Sequence, residues 1–239
     1  MIFIGEIEMK KEVKIENKVI SIYYDENSET INIPVVFLNT FDEDGQEIWN
    51  KTSTLTSKDY ILVTISNVDW NKEMSPWYME KLFKGEDDYT GHADEYLLLL
   101  TGKIILEIKK IVTETLNKNV TYYTIAGYSL AGLFAIYSLY KTDIFQRAVT
   151  CSGSLWYPGF VEFVKANEMI IHPYKIYFSL GNKEKNTKNE TMAKVEESTK
   201  VIEQCLHERG INTIYEENEG NHFQDVTLRI AKGICWTLE

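Results

Sequence analysis

Apolar residues gather along this chain in short runs, separated by stretches with helical spacing. The runs VISIYY (19–24), IPVVFLN (33–39), YILVTIS (60–66), TYYTIA (121–126), RAVTCS (147–152) and KIYFSLG (175–181) predict strands. Several are apolar on both faces, the pattern of central strands covered by helices on either side. Apolar positions at helical spacing predict helices over 93–116, 130–141 and 190–210, the last closing at Gly210 as a C-cap. INTIYEE (211–217) predicts a final strand and FQDVTLRIAKGICWTL (223–238) a closing helix. Alternating strands and helices predict an α/β fold with a mostly parallel central sheet and helices on both faces. The β-rich N-terminal third predicts antiparallel strands at one edge. No repeat, low-complexity tract or linker interrupts the pattern, so residues 1–239 read as one domain.

Composition narrows the function classes. A hydrophobic content of 44% over 239 residues can bury one substantial core. No apolar run reaches the roughly 18 residues of a membrane span. The start, MIFIGEIEMKKEVK, turns charged within a few residues and lacks the apolar centre of a signal peptide, which predicts a cytoplasmic protein. The net charge of −11, with arginine only at 147, 209 and 229, disfavours phosphate backbones and anionic lipid as partners. Cys151, Cys205 and Cys235 share no CxxC spacing, and the four histidines show no ligand spacing. Neither a disulfide framework, a metal site nor any cofactor is expected.

The chemistry concentrates at Gly127-Tyr128-Ser129-Leu130-Ala131-Gly132. Ser129 falls between a predicted buried strand and a predicted helix, where a sharp turn projects a hydroxyl above the sheet. Gly127, Ala131 and Gly132 are small where the backbone must pass close to its neighbours. Leu130 N–H, at the helix start, is a natural oxyanion donor. A serine needs a base to take its proton, and in this architecture the acid and then the histidine follow it along the chain. His172 directly precedes Pro173 and His207 sits within a helix. His222 lies in the polar loop NEGNHFQD after the last strand and is the predicted base. For the acid, Glu184 stands just past the strand KIYFSLG and is preferred over Glu190, at a helix start, and over Asp225. The second oxyanion donor falls to the backbone of Thr40 or Phe41, in the turn after an early strand, which the sequence alone does not separate.

With those residues placed, the chain from about residue 19 onward resembles the Putative esterase family of α/β-hydrolases. That family includes siderophore trilactone esterases and S-formylglutathione hydrolase. GYSLAGLFAIYSLYKTDIFQRAVTCSGSLWY is similar to its elbow, helix and following strand, with Ser129 at the nucleophile. Ser154-Leu155-Trp156 is similar to a later motif near the pocket. SNVDWNKEMSPWYMEKL, TGHADEYLLLLTGKIILEI, SLGNKE and GNHFQD resemble further family segments in the same order. Tyr128 and Ala131 depart from the usual His and Gly, Trp70 stands where Arg is common, and Gly153 replaces Pro.

The resemblance implies a serine esterase acting through an acyl-enzyme on small esters, with Trp70, Trp77 and Trp156 among the pocket loops. Only about twenty residues separate Ser154 from the next strand, which leaves no room for a large cap. The alternatives are a siderophore trilactone esterase, an acyltransferase, or a non-catalytic binding module. The scarcity of arginine speaks against a strongly anionic siderophore.

Overall fold

The computed structural model describes residues 8–41 and 45–239. The chain opens with an antiparallel hairpin, β1 (Glu8–Ile15) and β2 (Lys18–Asp25). Next come β3 (Asn32–Asn39), α1 (Gly45–Ser53), β4 (Ile61–Ser66) and a single turn, α2 (Trp70–Glu73). A two-residue hairpin, β5 (Tyr78–Met79) with β6 (Tyr89–Thr90), leads into a long helical stretch. That stretch comprises α3 (Ala93–Leu99) and α4 (Ile105–Lys110), each continued by a π turn, Leu100–Ile104 and Ile111–Thr115. Then follow β7 (Asn119–Tyr128), α5 (Leu130–Ser138), β8 (Phe145–Cys151), α6 (Phe160–Ala166), β9 (Lys175–Gly181), α7 (Val195–Glu208), β10 (Asn212–Asn218) and α8 (Val226–Leu238).

Eight strands form one sheet in the order β1-β2-β4-β3-β7-β8-β9-β10. The β1–β2 and β2–β4 pairs are antiparallel, and every pair from β4–β3 to β9–β10 is parallel. The predicted antiparallel edge and parallel centre are both present. Alternation along the strands feeds two cores. Val35, Phe37, Ile125, Ala148 and Phe178 face the layer that contains α3 to α7, where Ile108, Phe134, Phe160 and Ile202 are fully buried. Val36, Leu38, Ala126, Val149 and Tyr177 face α1 and α8, through Ile48, Trp49, Ile230 and Ile234. Burial on both faces explains why the central strands read as near-continuous apolar runs.

The predicted helix at 93–116 carries the two π turns. Each wide turn rotates the residues after it, and Ile104, Ile108, Ile111 and Val112 all remain buried. Helices α1 and α6 and the β5–β6 hairpin are additions that the apolar pattern does not predict. Only α6 separates Ser154 from β9, so no large cap covers the strand ends. Among the described residues, no helix is long and apolar enough to cross a membrane.

Candidate active site

The candidate residues Ser129, Glu184 and His222 all follow the carboxyl ends of parallel strands, β7, β9 and β10. Between β7 and α5, Ser129 adopts φ 56° and ψ −124°, a left-handed backbone that non-glycine residues rarely take. The turn is held from three sides. Ser129 N–H donates to the Cys151 carbonyl at 3.1 Å, while its own carbonyl accepts from Gly132 N–H at 3.0 Å, Leu133 N–H at 3.1 Å and Ser154 N–H at 3.0 Å. Gly127 permits the close approach, since a Cβ there would lie 2.1 Å from the Ala131 carbonyl oxygen. Leu130 is the first residue of α5, where an N–H has no intrahelical partner.

The loops after β9 and β10 are tied to each other. Asn182 N–H donates to the Asn218 carbonyl at 2.8 Å, and Lys183 N–H to the Gly220 carbonyl at 3.0 Å. This brings Glu184 beside His222, with Nδ1 at 2.8 Å from Glu184 Oε2. A carboxylate only accepts, so Nδ1 carries the proton and Nε2 is left with a free lone pair. The other carboxylate oxygen, Oε1, accepts from Ser152 Oγ at 2.6 Å, Gly181 N–H at 2.7 Å and Arg229 Nη1 at 3.0 Å. Burial by itself would raise the Glu184 pKa. The hydrogen bonds from His222, Ser152 and the Gly181 N–H outweigh it and hold the carboxyl below its ordinary value.

Ser129 and His222 line the same two adjoining cavities, of about 400 Å³ and about 380 Å³. The Ser129 hydroxyl faces Ser154 Oγ at 3.5 Å, and among the described residues its hydrogen bonds do not include one to the imidazole. Bonds of this kind often form or tighten only when substrate is bound. The first cavity is mixed, with Asn71, Glu86, Asp87 and Ser154 beside Trp156, Met192 and Val195 in its walls and no lysine or arginine among its described lining residues. The second is apolar, lined by Leu38, Val226, Ile230 and Phe223. Trp70 borders both, and Trp156 the first. The Trp70 ring packs edge-on to Phe41, with centroids 5.4 Å apart. Its short helix is anchored by fully buried Lys18, whose Nζ reaches Glu73 Oε2 at 2.5 Å and the Asn67 carbonyl at 3.0 Å. Among the described residues, no group of three or more His, Cys, Asp or Glu side chains is arranged to hold a metal ion.

Two of the expected site residues are corrected. Thr40 N–H already donates to the Ile65 carbonyl at 2.9 Å, the bond that closes the β3–β4 ladder at its last pair, Asn39 with Ile65, which leaves Phe41 as the candidate second donor. Trp77 lines neither cavity. Its Nε1 donates to the Pro158 carbonyl at 2.9 Å, and its ring packs among Tyr137, Tyr157, Phe160 and Phe163. Trp77→Ala is therefore expected to cost about 2 kcal/mol in denaturant unfolding while leaving ester turnover per folded molecule within about twofold. His172 and His207 make local contacts, to the Arg209 carbonyl and Thr213 Oγ1, and border neither cavity. Glu190 and Asp225 are exposed.

Sequence reasoning missed three members of the network around Glu184, namely Tyr128, Ser152 and Arg229. The available signal was an arginine on the same helical stripe as Gly233 and Thr237, all three of which are buried.

The comparisons agree with this architecture. An IroE-like serine hydrolase from Shewanella oneidensis superposes with a TM-score of 0.75 at 17% identity, over 97% of this chain and 80% of that one. The siderophore hydrolase EstB from Aspergillus nidulans gives 0.69 at 14% identity, over 98% and 95%. At such identities the likeness concerns the α/β-hydrolase fold alone. The uncharacterized protein YbbA of Bacillus subtilis (strain 168) is 26% identical over 157 residues, 64% of this chain. That match spans 60% of YbbA's own length. The family model described as "Putative esterase" matches residues 16–225, nearly the whole sheet together with Ser129, Glu184 and His222, and the chain belongs to that family.

Proposed function

We propose that this protein is a serine carboxylic-ester hydrolase that works through an acyl-enzyme on small esters. The observation that carries this reading is the 2.8 Å contact of Glu184 with His222 Nδ1, beside a left-handed Ser129 on the same cavities. The contact sets the tautomer that leaves Nε2 free to act as a base.

The Ser129 hydroxyl loses its proton to His222 Nε2 as Oγ bonds to the ester carbonyl carbon. The carbonyl π electrons move onto oxygen, where the N–H groups of Leu130 and Phe41 donate to the oxyanion. One such donor contributes on the order of 3 kcal/mol to the transition state. Collapse of the intermediate breaks the C–O bond to the alcohol, and the imidazolium returns its proton to the departing alkoxide. Water then attacks the acyl-enzyme carbonyl, giving a proton to His222; collapse breaks the bond from the acyl carbon to Ser129 Oγ, which takes that proton back as the carboxylic acid leaves. Glu184 stays ionised and stabilises the imidazolium throughout.

The two cavities suit an ester with one apolar arm and a second arm of mixed character. EstB is a siderophore hydrolase, but the absence of lysine and arginine from both linings favours a less anionic ester here. The test is exposure of the folded protein to a fluorophosphonate probe and to short p-nitrophenyl esters. Stoichiometric labelling of Ser129 and saturable turnover are expected. No labelling and no turnover would leave a binding module as the better reading, and ester products formed with added alcohols would point to an acyltransferase.

A further inference from the structure

Arg229 is fully buried and touches the strand ends at Tyr128 and Ser152, the acid loop and the histidine loop. Its Nη1 reaches Glu184 Oε1 at 3.0 Å, Ser152 Oγ at 2.7 Å and the Tyr128 hydroxyl at 3.0 Å, and its Nη2 donates to the Asn221 carbonyl at 3.2 Å. Tyr128, the residue before Ser129, donates its phenolic proton to the His222 carbonyl at 2.6 Å. Its ring stands beside the imidazole, with centroids 5.3 Å apart. Burial pushes the Tyr128 pKa up to about 12, which keeps this proton in place at neutral pH.

An ion pair that served only to neutralise charge would need nothing beyond Glu184. Here two consecutive carbonyls of the histidine loop are also held, Asn221 by the guanidinium and His222 by the phenol. The backbone of His222 is thereby gripped from below while Glu184 grips its Nδ1. A planar guanidinium can serve several acceptors in fixed directions, which an ammonium cannot do. The remaining guanidinium nitrogen, Nε, has no hydrogen-bond partner among the described residues, so the contacts come from the two terminal nitrogens.

We infer that Tyr128 and Arg229 are a pair of positioning residues for His222, which hold its loop and its carboxylate partner so that the imidazole faces Ser129. The inference rests on the hydrolase reading above, and it gives the tyrosine of the Gly-Tyr-Ser elbow a role of its own. The pair couples the nucleophile's strand end, the acid loop and the histidine loop. Displacement of the base by a fraction of an ångström falls on the chemical step and leaves substrate binding alone.

The test compares wild type with Tyr128→Phe, Arg229→Lys and the double variant. Tyr128→Phe keeps the ring and removes only the hydroxyl; Arg229→Lys keeps the charge and removes the fork. For a short p-nitrophenyl ester, each is expected to lower kcat by about ten- to a hundredfold with KM within about twofold. The rate of fluorophosphonate labelling should fall by the same factor, since that reaction also needs the base. The double variant should be no slower than the slower single one, because both substitutions release the same loop. If Arg229→Lys does not fold, Tyr128→Phe alone decides. A Tyr128→Phe protein with lowered thermal stability but wild-type kcat and labelling rate would overturn the inference and leave the hydrolase reading standing. A wild type inert to both ester and probe would overturn both.

Discussion

Ser129→Ala is expected to lower turnover of a short acyl ester by at least about 10⁴-fold and to abolish fluorophosphonate labelling, with the fold intact. The loss is large because no neighbouring hydroxyl can take over. Ser154 Oγ lies only 3.5 Å from Ser129 Oγ, but Ser154 hangs from the loop after β8 and not from the left-handed turn that leads into α5. The cost in stability is small, within about 1 kcal/mol, since among the described residues the Ser129 side chain makes only that long hydrogen bond. The turn itself is held by backbone hydrogen bonds that alanine preserves. His222→Ala should reach a similar floor, and the double variant should be no worse than either single one, because the two groups act as a unit. Measured turnover of Ser129→Ala within tenfold of wild type would end the assignment of the nucleophile.

Glu184→Gln is the second large effect, and it should appear in both stability and rate. The carboxylate accepts from four groups and is the counter-ion of fully buried Arg229. An amide keeps the shape but leaves the guanidinium charge unpaired in the interior, at a cost of about 3–5 kcal/mol in denaturant unfolding near neutral pH. The amide nitrogen can also donate to Nδ1 and so favour the tautomer that points a proton at Ser129. A loss of about 10³- to 10⁴-fold in kcat is expected from that alone.

The pH dependence has a definite sign. The Glu184 pKa is depressed in the folded protein below its ordinary 4.5, so between the two values the unfolded chain binds more protons. Its stabilisation is fully present above about pH 4.5 and is lost as pH falls through the folded value. The gap in unfolding free energy between wild type and Glu184→Gln should therefore be widest near neutrality and narrow below pH 4.5. A gap that stays constant down to pH 3 would show that Glu184 is not held ionised by its partners.

Several features were legible because each residue's pattern repeats the demand of its place. KIYFSLG coincides with β9 residue for residue, since a strand covered on both faces must be apolar throughout. Ser129, His222 and Glu184 could be picked out because each stands at the carboxyl end of a recognisable strand, in the order the architecture dictates. Helix α1 was not legible. Its nine residues include only Ile48 and Trp49 as large apolar groups, and their burial comes from contact with α8, far along the chain. The three tryptophans carried equal weight in the sequence. The fold turned Trp70 and Trp156 to the cavities and packed Trp77 against α6.

By itself, then, the sequence determined the layered α/β architecture and singled out the strand that ends at Ser129, with Glu184 and His222 after it, as the candidate site. These depend on local periodicity and chain order, which are written in consecutive residues. Only the tertiary structure decided that the Thr40 N–H is taken by the Ile65 carbonyl, and that Tyr128, Ser152 and Arg229 form one hydrogen-bonded group with Glu184. Those outcomes depend on which atoms meet across 24 to 101 positions of chain, between Tyr128 and Ser152 at one extreme and Tyr128 and Arg229 at the other. Hydrogen-bond partners at that separation are chosen by how the sheet stacks its loops.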